Sequence, residues 1–292
     1  MTSRRNFLKY SALAAGSAFI GFPAFGFSST PTGRSAAIAE TVFQRAQAEG
    51  WEGLSIGEVT THVGRLFLGS PYKPHTLEVG GTERLIVNLR EFDCVTFVES
   101  SLALARCITL HTPTFDHFTR QLQVIRYRGG ILDGYPSRLH YFSDWIDDNE
   151  KKGIVKNVAL DLGGVPFQKT ITFMSDHRPL YRQLKRRETF DAIKKTEAEL
   201  KTRQHYYLPK HLVPAAADAI HEGDILGITT ATPGLDISHT GFACRVEGAL
   251  HFLHAPLSAG TVQISTRTLA DHLKQSDART GIMIARPLEP KP

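Results

Sequence analysis

The segment Glu91-Phe92-Asp93-Cys94-Val95-Thr96-Phe97-Val98-Glu99 constrains this chain more than any other, because it sets a cysteine at the start of a helix. Asp93 is a good N-cap residue, and after it Cys94, Val98, Ser101, Ala105 and Ile108 recur at helical spacing on one face. The thiol therefore falls in the first turn. Unpaired N–H groups and the positive end of the helix dipole favour a thiolate there, with pKa values of roughly 3.5–7.5 in such sites. The same residues also fit a small, buried cysteine on an ordinary core helix. Spacing alone does not choose between the two.

A nucleophilic cysteine needs a base and a group that orients the base. The C-terminal third supplies both kinds of residue in Ser238-His239-Thr240-Gly241-Phe242 and Leu253-His254-Ala255-Pro256, two short apolar segments that follow Glu222-Gly223-Asp224-Ile225-Leu226-Gly227-Ile228. On a strand, His239, Gly241 and Ala243 share one face, and Phe242, Cys244 and Val246 share the other. His239 can thus reach a nucleophile over small neighbours. His254, on the next strand, is placed to hold its imidazole.

Ser70-Pro71-Tyr72, the FDCVTFVE run, EGDILGI, SHTGF and the LHAP…GTV pair occur in the order found in NlpC-type papain-like cell-wall hydrolases. More closely, the chain resembles the N-acetylmuramoyl-L-alanine amidase-like branch, once catalogued as a domain of unknown function. The mark of that branch is a long insertion between Cys and His, with a stretch similar to Asp133-Gly134-Tyr135-Pro136-Ser137-Arg138-Leu139-His140-Tyr141-Phe142-Ser143-Asp144-Trp145. The resemblance spans roughly residues 55–287. It implies an α+β fold of papain-like NlpC type, in which a nucleophile helix packs on an antiparallel sheet beside a large α/β insertion subdomain. It also implies Cys94 as nucleophile, His239 as base and His254 as the orienting group, with no cofactor and no metal. Tyr72 and Asp93 would face substrate, while Ser137, Arg138, His140 and Tyr141 would read a sugar or a carboxylate. An equally open reading of Arg138 and Tyr141 is that they staple the insertion to the core. The implied reaction is hydrolysis of the amide between N-acetylmuramic acid and L-alanine through a thioester. Alternatives are a γ-D-glutamyl endopeptidase and a non-catalytic wall-binding module. Val95-Thr96 stands where Ser-Gly is common after the clan's cysteine, so the specificity of ordinary members does not transfer.

Composition narrows the remaining choices. The 292 residues carry a formal net charge of +5, and taking Arg4, Arg5 and Lys9 away leaves +2, too little for a nucleic-acid footprint. Ser3-Arg4-Arg5-Asn6-Phe7-Leu8-Lys9 with the weakly apolar run after it reads as a twin-arginine signal over 1–26, which implies the twin-arginine translocase as partner and a periplasmic destination. The apolar run is too short for a stable membrane span in the mature chain. Residues 27–35 read as a linker, and 36–292 as the amidase-like domain with its insertion at about 111–220. Cys94, Cys107 and Cys244 leave at least one thiol unpaired, and a bridge between Cys107 and Cys244 stays open. There is no CxxC or HExxH pattern.

Element by element, the pattern predicts helices over Ala36–Glu49 and from a Ser55/Glu58 capping box to Gly69, and a short strand at Leu85–Leu89. In the insertion it predicts a helix through Phe115, Phe118, Leu122 and Ile125, another over His140–Lys151, strands at Val155–Leu160 and Lys169–Phe173, and a long polar helix from Pro179 to about Gln204. Five strands then follow, at Asp224–Thr229, Ser238–Val246, Ala249–His254, Thr261–Ser265 and Gly281–Arg286. Glu247-Gly248 marks a hairpin, and a helix runs near Leu269–Lys274.

Overall fold

A computed structural model describes residues 31–291, so the twin-arginine segment lies outside the described residues. The first half is helical: α1 (Pro31–Glu49), α2 (Ile56–Leu66), α3 (Cys94–Thr109), α4 (Phe115–Arg126) and α5 (Phe142–Lys151). Strands β1 (Val155–Asn157) and β2 (Val165–Pro166) come next, then α6 (Phe173–Asp176), α7 (Arg187–Thr202), β3 (Tyr206–Pro209) and α8 (Val213–Ala216). The last third carries β4 (Ile225–Thr230), β5 (Ile237–Val246), β6 (Ala249–His254), β7 (Gln263–Ile264), α9 (Leu269–Lys274) and β8 (Arg279–Pro287). No helix among the described residues is long and apolar enough to cross a membrane.

All strands join one eight-stranded antiparallel sheet in the order β2-β3-β8-β4-β5-β6-β7, with β1 also paired to β8. The alternation along β5 separates two cores. Phe242 and Cys244 pack with α2 and α3, whereas Ala243 packs with Leu226, Ile228, Phe252 and the α9 residues Leu269 and Leu273 on the other face. The hairpin at Glu247-Gly248 has φ of 50° and 83°, the left-handed pair that a two-residue turn between twisted strands requires.

Helix α3 is the element everything else surrounds. It is buried from Thr96 to Ile108, so its sides pack against α2, α4 and β5 at once. Phe97 bridges Phe92 and Phe242 edge to face, at centroid distances of 5.9 and 5.4 Å. Truncating such a ring costs about 3–5 kcal/mol. A buried ion pair joins this helix to α4: Glu99 accepts from Arg126 Nε at 2.6 Å, and Arg126 Nη1 reaches the Ile86 carbonyl at 2.6 Å.

Several sequence expectations change. Helix α1 begins at Pro31, so part of the expected linker is helical, in keeping with proline's tolerance for a first helical turn. Residues 85–89 form no strand. Their groups are taken up by side chains, through Ser35 to Leu89 N and Arg126 to Ile86 O, rather than by a ladder. Lys169–Phe173 contributes a single bridge at Ile171, and the long polar helix starts at Arg187 after two short 3₁₀ turns. The insertion also merges with the rest of the fold. Its α4 and α5 share the α3 core, β1 and β3 extend the main sheet, and only the α6–α7 region keeps a cluster of its own, around Tyr141, Met174, Leu184, Ile193 and Leu200.

Candidate active site

The α3 start is built by local hydrogen bonds. Asp93 accepts from Thr96 N at 2.8 Å while its own N–H donates to Thr96 Oγ1 at 3.0 Å, a reciprocal cap that fixes the entry of the helix and hence the Cys94 side chain. The second Asp93 oxygen accepts from Thr76 at 2.9 Å. Both carboxylate oxygens thus have partners within the protein.

Register places the histidines. His254 sits opposite Gly241 on the neighbouring strand. A side chain at Gly241 would lie 2.5 Å from the Leu253 carbonyl and 2.8 Å from His254 Cβ, so only glycine leaves room there. His254 therefore reaches diagonally to His239, two residues along on the same face, and the two rings meet Nε2 to Nδ1 at 2.7 Å. The strand ladder explains what stands next to them. Ala243 N–H donates toward β4, so Thr240 N–H points toward β6, beyond its last paired residue. The Cys94 sulfur fills that place and accepts from Thr240 N–H. Sulfur and imidazole are thus brought to adjacent residues of one strand.

Burial pushes the half-buried Cys94 thiol up to about 12, Asp93 adds to the effect, and the N–H groups of Thr240, Cys94 and Val95 oppose it without prevailing. This corrects the sequence expectation of a resting thiolate: desolvation outweighs the helix start. Burial likewise lowers His239 to about 3, with His272 and Arg279 contributing, and lowers His254 with His239, His272 and Arg279 contributing. Burial thus favours the neutral form of both the Cys94 thiol and the His239 imidazole.

Tyr72 lies half-buried in the loop before the nucleophile, held by its N–H to the Gly260 carbonyl at 2.7 Å and by a bridge to Phe92. Burial raises its hydroxyl, and so do Cys94 and Asp93, which sets it beside both. The insertion residues are placed differently. Arg138 is buried, donates to the Leu77 carbonyl at 2.9 Å, pairs with Glu78 and stacks on Tyr135 at 4.8 Å. Tyr141 is also buried, donating to Glu197 at 2.7 Å and accepting from Met174 N at 2.8 Å. Ser137 closes a turn through the Gly134 carbonyl and Asp133 N, and His140 contacts the Tyr135 carbonyl at 2.9 Å. Their polar atoms are engaged in tying the insertion to the loop around Leu77 and Glu78 and to itself. This is the stapling arrangement, the second of the two readings open for Arg138 and Tyr141.

Beside the histidine pair opens a cavity of about 550 Å³, lined among others by His239, His254, His272, Gln263, Arg267 and Arg279. His272, on α9, was not singled out from the sequence. Its ring lies 5.4 Å from that of His254, perpendicular to it. A histidine on a short amphipathic helix carries no signal until β6 and α9 are packed together. Cys107 and Cys244 are free and buried in the α3 core. Among the described residues no group of three or more His, Cys, Asp or Glu side chains is arranged to hold a metal.

Fold and site define a mixed helix and antiparallel-sheet protein with a helix-start cysteine set against a histidine-bearing strand. The chain belongs to the AmiA-like, N-acetylmuramoyl-L-alanine amidase-like family, whose profile matches residues 62–282. It is 38% identical to an N-acetylmuramoyl-L-alanine amidase from Bacteroides uniformis, with a TM-score of 0.77 over 80% of this chain and 99% of that one. A Bacteroides fragilis structure provisionally named a xylanase is 41% identical, with a TM-score of 0.74 over 77% of this chain and 99% of that one. A Legionella pneumophila protein, 22% identical with a TM-score of 0.66 over 89% of this chain and 96% of that one, shares the fold. No curated protein matches the chain.

Proposed function

We propose that the protein is a cysteine amidase of NlpC papain-like type that cleaves the amide between N-acetylmuramic acid and L-alanine in peptidoglycan or its fragments. The observation that carries this reading is the His239–His254 hydrogen bond, ending on the strand whose next N–H meets the Cys94 sulfur. With Nε2 of His239 engaged by His254, Nδ1 is the nitrogen left for the thiol. Because thiol and imidazole rest neutral, the proton passes from Cys94 to His239 as the Sγ–carbon bond forms. His239 then gives that proton to the leaving alanine nitrogen as the carbon–nitrogen bond breaks. Water, deprotonated by His239, attacks the muramoyl thioester, and the proton returns to sulfur. The Cys94 backbone N–H at the helix start suits the oxyanion, and the Tyr72 hydroxyl adds a donor from the preceding loop.

The test is turnover of an N-acetylmuramoyl-L-alanyl peptide. Wild type should release the free sugar acid and a peptide beginning with L-alanine, while Cys94→Ala should lose at least roughly 10³-fold in kcat/KM with stability changed by less than about 1 kcal/mol. Residual activity near wild type would remove Cys94 from the reaction. The proposed site of action is the periplasm, reached through the twin-arginine translocase. It predicts that changing Arg4 and Arg5 to Lys leaves precursor in the cytoplasm, and normal accumulation of that variant outside it would contradict the route.

A further inference from the structure

The cavity beside His239 and His254 is charged in one sense only. Arg267 and Arg279 line it and no carboxylate does, and neither arginine forms an ion pair among the described residues. Arg279 is half-buried and donates to the His272 carbonyl, which fixes the guanidinium against the cavity wall without neutralising it. A desolvated guanidinium without a counter-ion is unfavourable, and a planar carboxylate is the partner its donors match. A second observation comes from His254, which is 2% exposed and lines the same cavity: its Nε2 has no hydrogen-bond partner. The Nε2 of His272 is likewise buried and unpartnered. Two unsatisfied imidazole nitrogens and two unpaired guanidinium groups converge on one polar space.

Which part of a substrate enters follows from the chemistry. The imidazole that takes the thiol proton must deliver it to the leaving nitrogen, so the leaving group passes on the His239 side. The cavity is lined by His239 and His254, and Cys94 is not among its lining residues. We infer that this cavity is a leaving-group subsite that holds a carboxylate of the departing peptide through Arg279, with Arg267 at its rim. The identity of the leaving group rests on the amidase reading above. Binding there does a second thing: burial is the main cause that holds His239 below the ordinary imidazole range and the Arg279 charge adds to it, so a carboxylate on Arg279 offsets that added part and an acidic peptide strengthens the base that must act on it.

The experiment compares N-acetylmuramoyl-L-alanyl-D-glutamate with its diamide, in which both carboxylates are neutral. Wild type should favour the acid by roughly 10- to 100-fold in kcat/KM, the range for a charge-assisted contact. Arg279→Gln should bring the ratio close to one. Arg267→Gln, at an exposed position where folding is safe, should reduce it in part. Equal turnover of acid and diamide by wild type, or a preference that survives both substitutions, overturns the subsite. A binding arm separates this from failure of the amidase reading. Calorimetry of the product dipeptide L-alanyl-D-glutamate on Cys94→Ala should show binding that the dipeptide diamide and Arg279→Gln both lose. If no muramoyl substrate is cleaved yet that binding is seen, the subsite stands and the reaction assigned to it falls. If cleavage occurs and the dipeptide acid binds no better than the diamide, the subsite falls.

Discussion

His254 lies opposite Gly241 in the β5–β6 ladder and reaches across it to meet His239 at 2.7 Å. The absence of a side chain at Gly241 is what makes that reach possible. The two rings therefore differ in place: His239 is the residue next to Thr240, whose N–H meets the sulfur, while His254 bonds to His239 and lies beside His272. His239→Ala should approach the loss of Cys94→Ala in kcat/KM. His254→Asn should stay at least roughly tenfold above His239→Ala, because an amide oxygen still accepts the imidazole N–H. Steady-state kinetics on folded variants decide this, and equal loss in the two would reverse the assignment.

Arg138 is predicted to act on stability. It is buried, paired to Glu78 and bonded to the Leu77 carbonyl, so Arg138→Ala leaves those groups unpartnered and should lower the unfolding free energy by about 1.5–3 kcal/mol in urea denaturation. Turnover of sugar-bearing and sugar-free peptides should then fall together. A loss confined to sugar-bearing substrates, with unchanged stability, would return Arg138 to a recognition role.

The buried imidazoles set a pH dependence with a definite sign. His239 and His272 lie below the ordinary value of 6.5, at about 3 and about 4, because of burial first and then of the neighbouring charges, which are His272 and Arg279 for His239 and Arg279 for His272. Between those values and 6.5 the unfolded chain binds protons that the folded chain does not, so their contribution is fully present above 6.5 and is lost as pH falls toward 4 and 3. Urea midpoints should drop from pH 7 to pH 4, and His272→Gln should flatten that slope. The thiol gives a separate readout: held up to about 12, Cys94 should be alkylated by iodoacetamide at a rate that rises continuously from pH 6 to pH 9. A plateau at the acid end would reveal a thiolate–imidazolium pair instead.

Much of this site was legible in the residues. The Asp93 cap, the face shared by His239 and Gly241, the hairpin at Glu247-Gly248 and the span of α9 all follow from local rules, and the structure has each of them. What local rules missed depends on tertiary placement. A short run such as Tyr206–Pro209 becomes a strand of the main sheet only because β8 offers its edge, and of the strand expected over Val155–Leu160 only Val155–Asn157 forms, where it pairs with β8. Leu85–Leu89 has the right composition for a strand but meets Ser35 and Arg126 instead. The Cys94 thiol shows the same limit: the helix start is visible in the sequence, whereas the desolvation that outweighs it comes from the packing around α3.

In the proposed reaction the Cys94 sulfur takes the muramoyl acyl group. Rapid acid quench during turnover of an N-acetylmuramoyl-L-alanyl peptide, followed by proteolysis and mass spectrometry, reads it directly. A muramoyl thioester is expected on the peptide containing Cys94, present in wild type and absent from Cys94→Ala. A peptidyl group on Cys94, or product formation with no adduct on that cysteine, would contradict it.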